Sequence, residues 1–171
     1  MSEQNKALVR GYFEMANSHD FSKIDEVCAA DYVHHDPHLP VPVTDLQAWK
    51  QRLEGAFIKA FPDLQVSVQD IVAEGDKVAA RWSFSATHRG EMPGEPPLPA
   101  TGKKVEVSAI SIHRIAGGKI AEAWVNYDGA IASLAPEVAE GRFIGPPLHP
   151  PSQNDQSSFW INIRSKLCVV M

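Results

Sequence analysis

The chain has 171 residues, of which 44% are hydrophobic and 22% charged, and its formal net charge is −5. This size and balance are typical of one soluble globular domain with its own core, and the negative charge argues against nucleic acid or an anionic membrane as the main partner. Two distant cysteines, Cys28 and Cys168, indicate no disulfide framework. With no apolar leader and no run of about 20 apolar residues, we expect a cytoplasmic protein without a membrane partner.

The N-terminal third predicts three helices. Apolar residues recur at helical spacing over residues 3–18, 21–28 and 44–61, and Pro62 ends the third of these segments. Thr44 is the candidate cap of the third helix. A brief extended segment at 31–37 lies between the second and third helices and ends at a proline-fixed turn.

From Leu64 onward the apolar period changes to two, which predicts four strands. They cover residues 64–74, 77–88, 103–115 and 119–128, with glycine turns closing two hairpins and a proline-rich loop at 90–102. Helices gathered on one side of such a sheet make an α+β architecture. We therefore expect a cone-shaped, curved antiparallel sheet wrapped by three N-terminal helices, with a conical cavity between the layers.

The composition changes after Pro136. The following segment is rich in proline and serine and has no clear periodicity. We interpret residues 1–135 as the folded domain and residues 136–171 as a C-terminal extension, for which the sequence predicts no role.

The last predicted strand carries an unusual mixture of side chains. Strict alternation places Ile120, Glu122, Trp124, Asn126 and Asp128 on one face. Apolar surface with a few placed polar groups is typical of a pocket wall. Asp128 then has two interpretations: an acid/base with its pKa raised by an apolar cavity, or the N-cap of a short helix that follows.

Several short motifs occur in an order that resembles the SnoaL-like polyketide cyclase (ester cyclase) family, within the nuclear-transport-factor-2-like superfamily. They include Asp31-Tyr-Val-His-His-Asp-Pro37, Ala60-Phe-Pro-Asp-Leu64, Thr87-His-Arg-Gly90 and Ile110-Ser-Ile-His-Arg-Ile115. The resemblance extends over about residues 3–135. It implies a cone-shaped α+β barrel, a dimer or tetramer, and an activity without a metal ion or organic cofactor.

The resemblance also implies a site. In the polyketide cyclases an aspartate near the end of the last strand is the acid/base of an intramolecular aldol closure, and Asp128 matches that position. His35 and His88 match family histidines, so the expected catalytic residues are Asp128, His35 and His88. The expected substrate contacts are the aromatic and polar residues Tyr12, Trp49, Phe57, Trp82, His113, Trp124 and Asn126.

Simpler explanations exist for most of these residues. The aromatic residues at regular spacing also fit a packed core, Arg81 fits a structural ion pair, and His34 is expected to be exposed. In an extended segment His34 and His35 point to opposite faces, so we expect no metal site there.

Two classes of function follow. The favoured hypothesis is a cofactor-independent cyclase or isomerase acting on a small hydrophobic, polyketide-like carbonyl compound. The alternatives are a non-catalytic module that binds a small ligand in the same cone, or an enzyme of the epoxide hydrolase or dehydratase type that uses Arg81 or Asn126 around a water.

Overall fold

A computed structural model describes residues 2–39, 41–93 and 97–134 of the chain. They form an α+β fold in which helices cover one face of a curved five-stranded sheet. The helices are α1 (Ser2–Ser18), α2 (Ile24–Val27) and α3 (Leu46–Arg52), and a 3₁₀ turn covers Gly129–Leu134. The strands are β1 (Cys28–His35), β2 (Gln65–Glu74), β3 (Lys77–Thr87), β4 (Lys104–Ala116) and β5 (Lys119–Tyr127).

The sheet is mixed rather than wholly antiparallel. Its strand order is β1-β5-β4-β3-β2, and the four strands from β2 to β5 pair antiparallel, as the alternating patterns predict. β1 adds to the edge of β5 in parallel. It overlaps the brief extended segment that the sequence predicts at 31–37. β1 begins at Cys28, for which the sequence predicts a helix, and α2 is correspondingly a single turn.

A bulge in β5 reverses the alternation on which the predicted pocket wall depended. Ile115 pairs with Ile120 whereas Arg114 pairs with Glu122, so Ala121 is an extra residue opposite β4. An extra residue moves every later side chain to the other face of the sheet. Ile120 and Ala123 therefore both point toward the helices, and the even-numbered residues beyond the bulge point outward.

The helix α3 changes its geometry where it passes over the sheet. Its N-cap is Asp45, one residue after the predicted cap, and the Asp45 carboxylate accepts a hydrogen bond from the Ala48 N–H at 2.7 Å. After Arg52 it continues as a π-helix over Leu53–Ile58. Leu53, Phe57 and Ile58 of this π-helical segment face the space between the helices and the sheet.

Candidate active site

The helices and the inner face of the sheet do not fill the space between them. They enclose a cavity of about 130 Å³, and apolar side chains make up most of its wall. These include Phe13, Phe21, Leu64, Phe84, Val125 and Ile131. An apolar cavity of about 150 Å³ holds a benzene molecule, so this one has room for a single six-membered ring.

His34 is the most distinctive polar group in this wall. It is 5% exposed, stacks on Trp49 with ring centroids 3.7 Å apart, and its Nδ1 lies 3.1 Å from the Tyr32 hydroxyl. Burial, helped by the nearby His113, Arg52 and His35, lowers the pKa of His34 to about 3. The ring is therefore neutral at pH 7, and its Nε2 has no hydrogen-bond partner within the described segments.

A second buried histidine lies deeper in the cavity. The Trp82 indole donates to the Ser111 hydroxyl at 3.0 Å, and that hydroxyl lies 2.9 Å from His113 Nε2. His113 is 2% exposed, and burial lowers its pKa to about 4. If Ser111 donates to Nε2, the proton of the neutral ring is on Nδ1, which has no partner in the described residues.

Charged groups occur where the cavity meets solvent. Asp36 and Arg52 both line the cavity and are only partly buried. Asp36 accepts hydrogen bonds from the His38 N–H at 2.8 Å and the Tyr127 hydroxyl at 3.1 Å. Burial and the adjacent Asp36 raise the pKa of Tyr127, so its phenol keeps the proton that it donates. Asp36 is the single carboxylate on the cavity wall among the residues described.

Asp128 does not belong to this cavity. Its side chain is exposed, Oδ2 accepts from the Ser108 N–H at 3.0 Å, and Oδ1 accepts from the Ala130 N–H at 3.2 Å. It therefore caps the 3₁₀ turn at Gly129–Leu134 and borders a groove on the outer face of the sheet. The expectation that Asp128 faces an apolar cavity is wrong, because the β5 bulge turns it outward.

The comparisons with known proteins agree with this architecture. The model of the SnoaL-like polyketide cyclase family matches residues 6–133. The chain belongs to that family. No curated protein sequence matches it.

Several solved structures superpose on the chain. AclR of Streptomyces galilaeus, a proposed hydroxylase, has 27% identity and a TM-score of 0.68 over 96% of this chain and 95% of its own. IdmH of Streptomyces antibioticus, a proposed polyketide cyclase, has 32% identity and a TM-score of 0.63 over 77% and 98%. TsrD of Streptomyces laurentii has 25% identity and a TM-score of 0.66 over 78% and 96%.

The SnoaL-like motif residue His35 lies on the outer face. Its ring stacks on Trp124 with centroids 5.2 Å apart, and its Nε2 lies 2.8 Å from Glu122 Oε1. Asn126 is exposed on the same face. The expected cavity roles of His35, Trp124 and Asn126 are therefore wrong, because all three side chains lie on the outer face of the sheet and the cavity is on the inner face. Asn126 is thus not available for the epoxide hydrolase alternative.

The SnoaL-like motif Thr87-His-Arg-Gly90 has a structural explanation. His88 is buried outside the cavity wall, with its Nδ1 3.1 Å from the Thr101 hydroxyl and its ring beside Phe61. A Cβ on Gly90 would lie 2.1 Å from the Lys59 carbonyl oxygen, so only glycine fits there. The geometry contradicts a catalytic role for His88 in this cavity.

Five of the expected contacts do lie on the cavity wall, and their role toward a substrate stays a prediction. They are Tyr12, Trp49, Phe57, Trp82 and His113. The expectation that His34 is exposed is wrong, and Asp36 and Arg52 were missed as cavity residues. Alternation from Tyr32, which is fully buried, places His34 and Asp36 on the inner face, but the sequence alone does not choose between this face and that of the neighbouring Val33.

The described residues also bear on the remaining predictions. Arg81 forms the predicted ion pair, with its Nε 2.7 Å from Asp70 Oδ2 on the outer face, so the epoxide hydrolase alternative loses this group too.

Within residues 2–39, 41–93 and 97–134, no cluster of three or more His, Cys, Asp or Glu side chains could hold a metal ion. In the same ranges no helix has both the length and the apolar character needed to cross a bilayer. The interpretation of 136–171 as an extension lies outside the described residues.

Proposed function

We propose that this SnoaL-like protein is an acid/base enzyme that closes a ring in a small, apolar dicarbonyl compound bound in the cavity. One observation carries the proposal: an apolar cavity of single-ring size has a carboxylate at its mouth and a neutral imidazole on its wall. Proton abstraction next to a carbonyl needs a base and a donor for the developing enolate oxygen.

Asp36 is the proposed base, in place of the expected Asp128. It follows β1 directly and shares the inner face of that strand with His34, two residues earlier. Side chains two residues apart on a strand are about 7 Å apart at their Cα atoms, so one small ketone can reach both. Its hydrogen bonds from His38 N–H and Tyr127 hold the carboxylate in a fixed orientation.

His34 is the proposed donor to the enolate oxygen. When the Tyr32 hydroxyl donates to Nδ1, the proton of the neutral ring is on Nε2, which is free for a ligand. A neutral imidazole with a lowered pKa can polarise a carbonyl without giving up its proton. Stacking on Trp49 fixes the plane of the ring.

The proposed reaction conserves atoms and needs no oxidant. Asp36 takes a proton from the carbon next to one carbonyl, and His34 stabilises the enolate oxygen. The enolate carbon then attacks the second carbonyl carbon, forming the C–C bond. The new alkoxide takes the proton back from Asp36, which gives a cyclic β-hydroxy ketone. The cavity wall contributes by folding the chain so that the two carbons meet.

Heptane-2,6-dione is a suitable probe because its aldol product is a six-membered ring. Formation of 3-hydroxy-3-methylcyclohexanone is followed by NMR with the full-length protein. We expect Asp36→Asn to lower the rate by about 10²–10⁴-fold, the usual contribution of a general base. Asp128→Asn is the matched control and is expected to retain the rate. Loss of the rate in Asp128→Asn, or its retention in Asp36→Asn, would contradict the assignment.

A second candidate, a non-catalytic binding module, has one observation in its favour. Both oxygens of Asp36 already accept hydrogen bonds within the protein, which leaves each oxygen fewer lone pairs with which to take a proton from a substrate. Under this alternative the dione binds in the cavity but is not converted faster than in buffer. Titration of the dione by calorimetry, beside the NMR assay, separates the two functions.

A further inference from the structure

Arg52 lies at the mouth of an apolar cavity and forms no ion pair with any residue that the structure describes. It is the last residue of α3, lines the cavity and is partly buried. Its guanidinium has five N–H donors. Within the described parts of the chain it makes no hydrogen bond to a side chain and no ion pair, although a guanidinium in such a place usually has an acceptor.

The surrounding charged and polar groups do not supply that acceptor. Asp36, the other charged group on the wall, accepts hydrogen bonds from the Tyr127 hydroxyl and the His38 N–H. It forms no ion pair with Arg52. The guanidinium charge acts on two residues of the cavity wall. It contributes to lowering the pKa of His34, and it opposes the rise in the pKa of Tyr127.

The chain geometry joins this cation to an apolar surface. Directly after Arg52 the helix widens into the π-helical turn, which brings Leu53, Phe57 and Ile58 to the cavity wall. A π-helical turn within an α-helix is frequently found at a functional site. One helix thus presents a charged donor at the rim and a continuous apolar wall below it. That combination suits a ligand with an anionic head and an apolar body.

We infer that Arg52 forms an anion subsite and that the dicarbonyl substrate of this cavity also carries a carboxylate, which binds at the rim while the apolar part of the molecule lies inside. The inference rests on the proposed function only in that the cavity is the substrate site. Asp36 and Arg52 then have separate tasks, because the carboxylate is held at the guanidinium while the carbon next to the carbonyl reaches the base.

Two probes of nearly the same shape test this subsite. 3-Phenylpropanoate and 4-phenylbutan-2-one share the phenylethyl body and differ in one oxygen that is replaced by a methyl group. Calorimetric titration of the full-length protein gives both dissociation constants. A hydrogen-bonded charge pair corresponds to about a 10- to 100-fold preference for the carboxylate. We expect Arg52→Gln to remove this preference while leaving the affinity for the ketone unchanged.

Two variants make the result specific. Arg52→Lys keeps the charge but not the fork of donors, so part of the preference should remain. Arg81→Gln removes a cation that pairs with Asp70 on the outer face, and both affinities should stay as in the natural chain. Equal affinities for the two probes, or a preference that survives Arg52→Gln, would overturn the anion subsite but not the proposed function. Failure of both probes and of the dione to bind would overturn both.

Discussion

The adjacent residues His34 and His35 place the same side chain in different surroundings on the two faces of one sheet. His34 points inward, stacks on Trp49 and is almost without water contact, so its ring stays neutral. His35 points outward, stacks on Trp124 and lies 2.8 Å from Glu122. Each histidine has a tryptophan beside it, but among the described residues only His35 has a carboxylate partner. The inner face suits neutral hydrogen-bond chemistry, whereas the outer face suits solvated ion pairs.

The comparison implies that the inner tryptophan contributes far more to stability than the outer one. Trp49 is 7% exposed and its indole donates to the Tyr12 hydroxyl at 3.0 Å. We expect Trp49→Ala to lower the free energy of unfolding by about 3–5 kcal/mol, the usual cost of truncating a large buried aromatic residue. Trp124→Ala should cost about 1 kcal/mol or less. Urea denaturation measures both, and equal losses would contradict the difference between the faces.

The next largest effect concerns turnover. We expect His34→Gln to slow cyclisation of heptane-2,6-dione by about 10²-fold, since removing one donor to a developing oxyanion has effects of this size. His35→Gln, the neighbouring control, should retain the rate because its ring faces away from the cavity. If His35→Gln slowed the reaction and His34→Gln did not, the assignment of catalysis to the inner face of the sheet would be wrong.

The pH dependence of stability should also come from the inner face. Burial lowers the pKa of His113 to about 4 from its ordinary value of 6.5, so between these values the unfolded chain binds more protons. The free energy of unfolding therefore falls as the pH falls from 6.5 toward 4, by about 1.4 kcal/mol per pH unit for one such histidine. His34 adds a similar slope that extends to about pH 3.

Denaturation curves at several pH values test this slope. His113→Gln should remove one of the two contributions, and the double variant with His34→Gln should remove both. Ser83→Ala, a change at an outer-face residue, is the control and should keep the full slope. A slope that persists unchanged in the double variant would show that other groups cause the acid sensitivity.

The fold could be predicted from the sequence to a greater extent than the site. Helical and alternating apolar patterns each reflect burial of a whole element, so a single misplaced residue does not hide them. The site depends on which face each side chain takes, and the extra residue Ala121 in β5 reverses that face for Trp124, Asn126 and Asp128. No local signal marks this bulge. The parallel docking of β1 on β5 is a long-range contact, which periodicity does not encode.

The smallest predicted effect tests whether the outer face is exposed to solvent. Glu122 is held between His35 and the Arg114 guanidinium at 3.0 Å, and the hydrogen bond from His35, followed by Arg114, lowers the pKa of Glu122. The contribution of ionised Glu122 to the free energy of unfolding is therefore present at pH values above the ordinary pKa of a glutamate, and it disappears as the pH falls through the lowered pKa. Because partly exposed ion pairs contribute little, Glu122→Gln should cost less than about 1 kcal/mol at neutral pH, and less again in 1 M salt.

Repeating the Glu122→Gln measurement over a range of protein concentrations tests whether a second copy of the chain covers the outer face. The outer face also carries apolar side chains, with Ile110 57% and Val72 64% exposed, so a second copy of the chain would bury Glu122 together with them. A buried charge network has a far larger effect when one member is removed. A small loss at every concentration means that water surrounds this face. A large loss that grows with concentration would mean that the expected homo-oligomer forms here, and the contrast between the two faces would then hold only for the isolated chain.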